Sequence, residues 1–166
     1  MPFSDKFLLQ LYSASRGAAS VVIASFLMFG VAHAKAPEIA LDMAEHKGKV
    51  IYVDFWASWC GPCQQSFPFM NDLAQNYPQD DFEIILINVD KDREKADQFL
   101  SQIQAPCPTL YDPQGKIARQ FDIKSMPTSV LIDRKGKIRY VHSGYHDDKT
   151  TEYTSHIKEL IDENSQ

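Results

Sequence analysis

Val53-Asp54-Phe55-Trp56-Ala57-Ser58-Trp59-Cys60-Gly61-Pro62-Cys63 reads as a buried strand that runs straight into a Cys-x-x-Cys turn. Val50-Ile51-Tyr52-Val53 and Phe55-Trp56 make an apolar run of strand length, interrupted only by Asp54. Behind the second cysteine, Phe67, Met70, Ala74 and Tyr77 recur at near-helical spacing, which places Cys63 in the first turn of a helix. A thiolate there is favoured by the helix dipole and by unpaired backbone N–H groups, and its pKa falls towards the physiological range. Two cysteines two residues apart on such a turn close a disulfide with little backbone movement. Pro62 suits an early helical position, where its missing N–H would have had no partner. The stretch reads as a redox dithiol. Asp54 adds a second chemical feature: a carboxylate in an apolar strand is costly to ionise, so its pKa is expected to rise into an acid–base range. A solvent-facing strand end is the plainer alternative for it.

Working outward, Gly48-Lys49 turns into the strand Val50 to Trp56. The helix is expected from about Gly61 to Tyr77, with Pro68 inside it and Pro78 ending it. Phe82 to Val89 is an apolar strand of the kind covered on both faces. Asp92 to Gln104 reads as a helix with Ala96, Phe99, Leu100 and Ile103 on one side, broken by Pro106-Cys107-Pro108. Thr109 to Tyr111 is a short extra strand, Asp112 to Gly115 a turn, and Lys116 to Phe121 a short helix. Thr128 to Asp133 and Ile138 to His142 form a hairpin about Arg134 to Lys137. Glu152 to Ile161 closes the chain as an amphipathic helix. Helices alternating with strands, then a hairpin, predict an α/β domain: a central mixed sheet flanked by helices.

Lys6 and Arg16 precede an apolar run from Ala18 to Val31, and Ala32-His33-Ala34 offers a small-residue cleavage site. Residues 1–34 therefore read as a signal peptide or an N-terminal membrane anchor, and residues 35–166 as one domain. No cysteine lies near the cleavage site to carry a lipid. Lys35 to Lys49 is a lead-in in which Ile39, Leu41 and Met43 alternate, an edge strand or irregular cover. Without 1–34 the net charge moves from −5 to about −6, and there is no basic cluster, so nucleic acid is not an expected partner. Three cysteines are too few for a disulfide-stapled scaffold. An exported dithiol sits where disulfides form and where something must reduce them. Cys107, the odd thiol, reads as a small buried hydrophobe, with a second regulatory or metal-binding role as the alternative. The scattered His46, His142, His146 and His156 read as surface residues without ligand spacing.

Residues 53–63 closely resemble the thioredoxin active-site stretch. Pro68, Met126-Pro127-Thr128, and Gly136 with Gly144 follow in the order of that family. Gly48-Lys49-Val50, Tyr111 to Lys116 and Val130 to Gly136 look more like the exported TlpA/ResA-type branch, which adds a strand and a helix to the thioredoxin fold. The resemblance covers about 40–163. It implies that Cys60 is the nucleophile, that Cys63 resolves the mixed disulfide, and that Asp54 exchanges the Cys63 proton. It also implies that Pro127 is a cis-proline facing the dithiol, with Trp59, Gly61, Pro62 and Met126 completing a peptide-binding surface. Two positions depart from the pattern. Leu86 stands where thioredoxins often place a lysine near the aspartate, and Ser66 where many TlpA-type proteins carry a glutamate.

These residues predict a thiol–disulfide oxidoreductase, a reductase of exported protein disulfides such as apocytochrome thiols, with no cofactor and an upstream membrane thiol donor. A disulfide oxidase or isomerase would use the same residues in the other direction. A metal-binding chaperone would use Cys60 and Cys63 as soft ligands, with no third ligand evident nearby.

Overall fold

The chain divides into two units, Met1–Glu38 and Ile39–Gln166. The computed structural model describes Leu41 and residues 44–163, all in the second unit. The expected signal or anchor, and Ile39 and Met43 of the lead-in, lie outside the described residues.

Strand β1, Val50–Trp56, is buried at every one of its seven positions. That follows from its place in the middle of the sheet. It pairs in parallel with β2, Phe82–Asn88, on one side and antiparallel with β4, Thr128–Ile132, on the other. The short β3, Thr109–Tyr111, pairs in parallel with β2, and β5, Ile138–Ser143, runs antiparallel to β4. The strand order is β3-β2-β1-β4-β5, a mixed five-stranded sheet. Side chains alternate between its faces. Tyr52 and Trp56 belong to a cluster with Cys63, Phe67, Met70, Tyr153 and Ile157, whereas Ile51, Val53 and Phe55 join Ile117, Val130, Ile132 and Leu41 on the other face. Leu41 is thus irregular cover, not an edge strand.

Three helices line the first face: α1, Gly61–Asn76; α2, Arg93–Leu100; and α4, Thr150–Asp162. The short α3, Lys116–Gln120, covers the second. Trp56 packs edge-on against Phe67 at 5.3 Å, and Phe99 of α2 closes on both rings at 5.5 and 5.4 Å. Each such pair adds about 0.5–1.5 kcal/mol beyond the area it buries. α1 runs unbroken through Pro68, which sits on the exposed side.

The expected helix from Asp92 to Gln104 is shorter. Asp92 caps it by accepting from the Glu94 N–H at 3.1 Å, but the helix ends at Leu100 in looser turn bonds. Pro106 and Pro108 bias only Ala105 and Cys107 towards extended backbone, so they stop a helix after Gln104 but do not account for its end at Leu100. The hairpin between β4 and β5 turns on Asp133, whose Oδ1 accepts from the N–H groups of Lys135 and Lys137, both at 3.0 Å. Gly136 takes the positive φ of 80° that this turn requires. After β2, helix α2 and edge strand β3 supply the expected additional helix and strand.

Candidate active site

At the carboxyl end of β1 the chain turns through Ala57, Ser58 and Trp59 into α1. Cys60 is the N-cap of that helix in extended conformation, and its Sγ accepts from the Cys63 N–H at 3.2 Å. Pro62 occupies the first helical turn. Cys60 and Cys63 are joined as a disulfide with sulfurs 2.06 Å apart. A sulfur at a helix N-terminus faces the positive end of the dipole, the setting that favours a thiolate once the bond is reduced. Trp59 is 69% exposed, whereas Cys60 is only 5% exposed and Cys63 is fully buried. Cys60 is therefore less open than its position before the helix suggests: as N-cap its side chain folds back over the first turn.

The loop is held from the side by a carboxylate that the motif does not contain. Asp90, buried just beyond β2, accepts from the Ser58 N–H at 2.8 Å and the Ser58 hydroxyl at 3.0 Å. Asn88 fixes Asp90 in turn, donating from Nδ2 at 2.7 Å and accepting the Asp90 N–H at 3.0 Å. Gln64 donates to the Ser58 carbonyl at 2.9 Å. The available sequence signal for this clamp was polar Asn88-x-Asp90 directly after an apolar strand, opposite a serine in the motif.

Asp54 lies on the face of β1 that α1 covers, between Tyr52 and Trp56, and is 1% exposed. Its Oδ2 has no hydrogen-bond partner, whereas buried Asp90, Asp112 and Asp133 all accept hydrogen bonds. Burial pushes the Asp54 carboxyl up to about 8. Leu86 stands opposite it on β2, so no cation sits at that position. Ser66 is buried too, and its hydroxyl donates to the Cys63 carbonyl at 2.8 Å.

The Met126–Pro127 peptide bond is cis. Thr128 pairs with Phe55, which sets Met126 and Pro127 at the same end of the sheet as the dithiol. The Pro127 carbonyl accepts from the Gly144 N–H at 2.8 Å, and Met126 packs into the cluster that contains Cys60 and Cys63. The structure thus gathers Asp54, Cys60, Gly61, Pro62, Cys63, Met126 and Pro127 at one sheet end, with Trp59 exposed in the loop just before Cys60.

Cys107 lies apart, half-buried; its thiol donates to the Ile84 carbonyl at 3.1 Å, and burial pushes it up to about 11. Two histidines read as separate surface residues meet: His142 Nε2 and His156 Nδ1 are 3.0 Å apart, 14 residues distant in sequence. Strand β5 and helix α4 bring them together, a contact no local pattern announces. Among the described residues, no three His, Cys, Asp or Glu side chains gather into a group able to hold a metal.

A Cys-Gly-Pro-Cys disulfide capping a helix, a buried carboxylate and a cis-proline on this sheet define a thioredoxin-like domain with a redox-capable cysteine pair. The chain belongs to the Redoxin family, whose profile matches residues 25–157. It is 33% identical over 98 residues to the thiol-disulfide oxidoreductase ResA of Bacillus thuringiensis subsp. konkukian, covering 59% of this chain and 57% of that one. It thus spans little more than half the length of that curated relative. Among solved structures, a Chlorobium tepidum protein assigned as the thiol:disulfide interchange protein DsbE superposes with a TM-score of 0.69 at 39% identity, over 72% of this chain and 84% of that chain. The exposed lipoprotein thioredoxin Etrx1 of Streptococcus pneumoniae superposes at 0.63 with 27% identity, over 71% and 90%.

Proposed function

We propose that this chain reduces disulfides of exported proteins through Cys60 and Cys63. The Cys60 thiolate attacks one sulfur of a substrate disulfide, and the other substrate sulfur leaves as a thiolate. Cys63 then loses its proton to the Asp54 carboxylate and attacks Cys60 Sγ. This releases the second substrate thiolate and forms the Cys60–Cys63 disulfide. A membrane thiol donor returns two electrons and two protons to the pair. Trp59, Gly61, Pro62, Met126 and Pro127 form the surface on which the substrate peptide lies. Residues 1–34 serve as signal or anchor for residues 35–166, so the domain works in the periplasm, soluble or tethered. Apocytochrome disulfides in cytochrome c maturation are the substrate class this reading favours.

The observation that carries the direction is the electrostatics of the dithiol. Asp54 lies buried without a cation partner, and no Lys, Arg or His falls within 53–63. A strong oxidant needs its reduced form stabilised by a very acidic nucleophile. Here only the helix terminus favours the thiolate. Equilibration of the 35–166 domain against glutathione tests this. The expected potential lies near the thioredoxin value of about −270 mV, and one near about −120 mV would make the protein an oxidase.

A further inference from the structure

A polar row crosses the sheet on the face beneath α1 and α4. Asp54 of β1 is in register with Ser129 of β4, and Ser129 with His142 of β5. Direct cross-strand partners share a face, with Cβ atoms about 4.5–5.5 Å apart. The Ser129 hydroxyl also meets the buried Tyr52 phenol and lies 3.4 Å from His142 Nδ1. His142 Nε2 lies 3.0 Å from His156 Nδ1 on α4. Both imidazoles are half-buried, and the rings are held: His156 stacks on Tyr140 at 3.9 Å, and His142 packs against Tyr153 at 4.6 Å. A row of exchangeable protons through an otherwise apolar layer needs a reason, because each buried polar group costs free energy unless paired.

We propose that Ser129, His142 and His156 carry the proton between Asp54 and solvent during each dithiol cycle. The inference rests on Asp54 acting as the base for Cys63. Asp54 and Ser129 are cross-strand partners with no direct hydrogen bond from Asp54 Oδ2, so one water would complete the link between carboxyl and hydroxyl. With Ser129 donating to His142 Nδ1, the His142 Nε2–H donates to His156 Nδ1, and the His156 Nε2–H remains for water. When the protonated Asp54 gives up its proton, Ser129 takes it and passes its own to His142 Nδ1. His142 releases the Nε2 proton to His156, which releases its own to water. One proton enters and one leaves; only O–H and N–H bonds change, and the carboxylate is restored. Rotation of the hydroxyl and reverse transfer restore the tautomers. The groups facing His142 suit a neutral carrier: Ser129, Tyr153 and His156 lie against it, the Tyr140 ring is aligned with its centre 6.4 Å away, and Glu152 and Lys149 act with opposed sign. Burial and His156 lower its pKa to about 4, so it is neutral at working pH.

5,5′-Dithiobis(2-nitrobenzoate) added to the reduced protein carrying Cys107→Ala, so that only Cys60 and Cys63 react, separates the two steps. The first thionitrobenzoate released reports attack by Cys60, and the second reports resolution by Cys63. His142→Phe keeps the ring packing and removes the carrier. It is expected to slow the second release about tenfold between about pH 7 and 9 and to leave the first within about twofold. In an Asp54→Asn background the same substitution should add nothing. His156→Ala should show the same selective loss, reversed in part by free imidazole, and it serves if His142→Phe does not fold. If Asp54→Asn slows resolution but both histidine variants resolve at the wild-type rate, the path is overturned and the Asp54 assignment stands. Equal slowing by His142→Phe with and without Asp54 also overturns the path. If Asp54→Asn itself leaves resolution unchanged, the assignment of the base fails first, and the path with it.

Discussion

Asp54 on β1 stands directly opposite Leu86 on β2 and Ser129 on β4, so one flank of the buried carboxylate is hydrocarbon and the other a hydroxyl. Neither flank compensates a negative charge, which is why burial alone sets its pKa at about 8. The consequences for stability and for rate run in opposite directions with pH.

For stability, the folded-state value lies above the unfolded one of about 3.9. Below about pH 4 both states are protonated and ionisation adds no cost. Between about 4 and 8 the unfolded chain ionises first, so folding loses free energy, and above about 8 the loss is constant. Asp54→Asn removes this term. Urea unfolding of the disulfide form is expected to show the variant more stable by on the order of a few kcal/mol above pH 8, converging with wild type towards pH 4. A pH-independent difference would refute the linkage.

Leu86→Lys tests the same environment from the other side. An ammonium opposite Asp54 favours the carboxylate, and its pKa is expected to fall by a unit or more. The pH at which resolution by Cys63 reaches half its maximum should move down with it. The check is the pH profile of mixed-disulfide resolution; an unmoved profile would mean that the two side chains do not sense each other.

The three thiols of the reduced protein should alkylate in the order Cys60, Cys63, Cys107. Cys60 retains some exposure at the helix terminus, Cys63 is fully buried, and Cys107 is held protonated by burial, which pushes it up to about 11. Brief iodoacetamide treatment near neutral pH followed by mass mapping reads the order. First labelling at Cys63 would reverse the assignment of nucleophile and resolving thiol.

Asp90→Ala should loosen the loop ahead of Cys60, because it orphans the Ser58 N–H and hydroxyl and the Asn88 amide together. Hydrogen bonds to a charged acceptor contribute about 1.5–3 kcal/mol each, not additively, so a loss of about 2–4 kcal/mol is expected in urea unfolding. Asp90→Asn keeps an acceptor and should lose less. Equal loss in both variants would point to packing instead of the clamp.

The thioredoxin-like fold was legible because its elements are locally written. The seven-residue apolar strand, the helical spacing behind Cys63, the turn residues about Asp133 and Gly136, and the Met126-Pro127-Thr128 motif each declare themselves over a short span. Burial of Asp54 was legible for the same reason: a lone carboxylate in a strand apolar on both faces has nowhere to go but inside. The early end of α2 was not, because the amphipathic pattern ran on to Ile103 whereas the backbone passes into turn bonds from Gln102. The clamp of Asp90 on Ser58, 32 residues apart, and the row from Asp54 through Ser129 and His142 to His156 were decided by tertiary structure alone. Local pattern says which face of a strand is buried. Which residue stands beside which depends on register between strands far apart in sequence, and a slip of one position would have sent Ser129 and His142 to the other face.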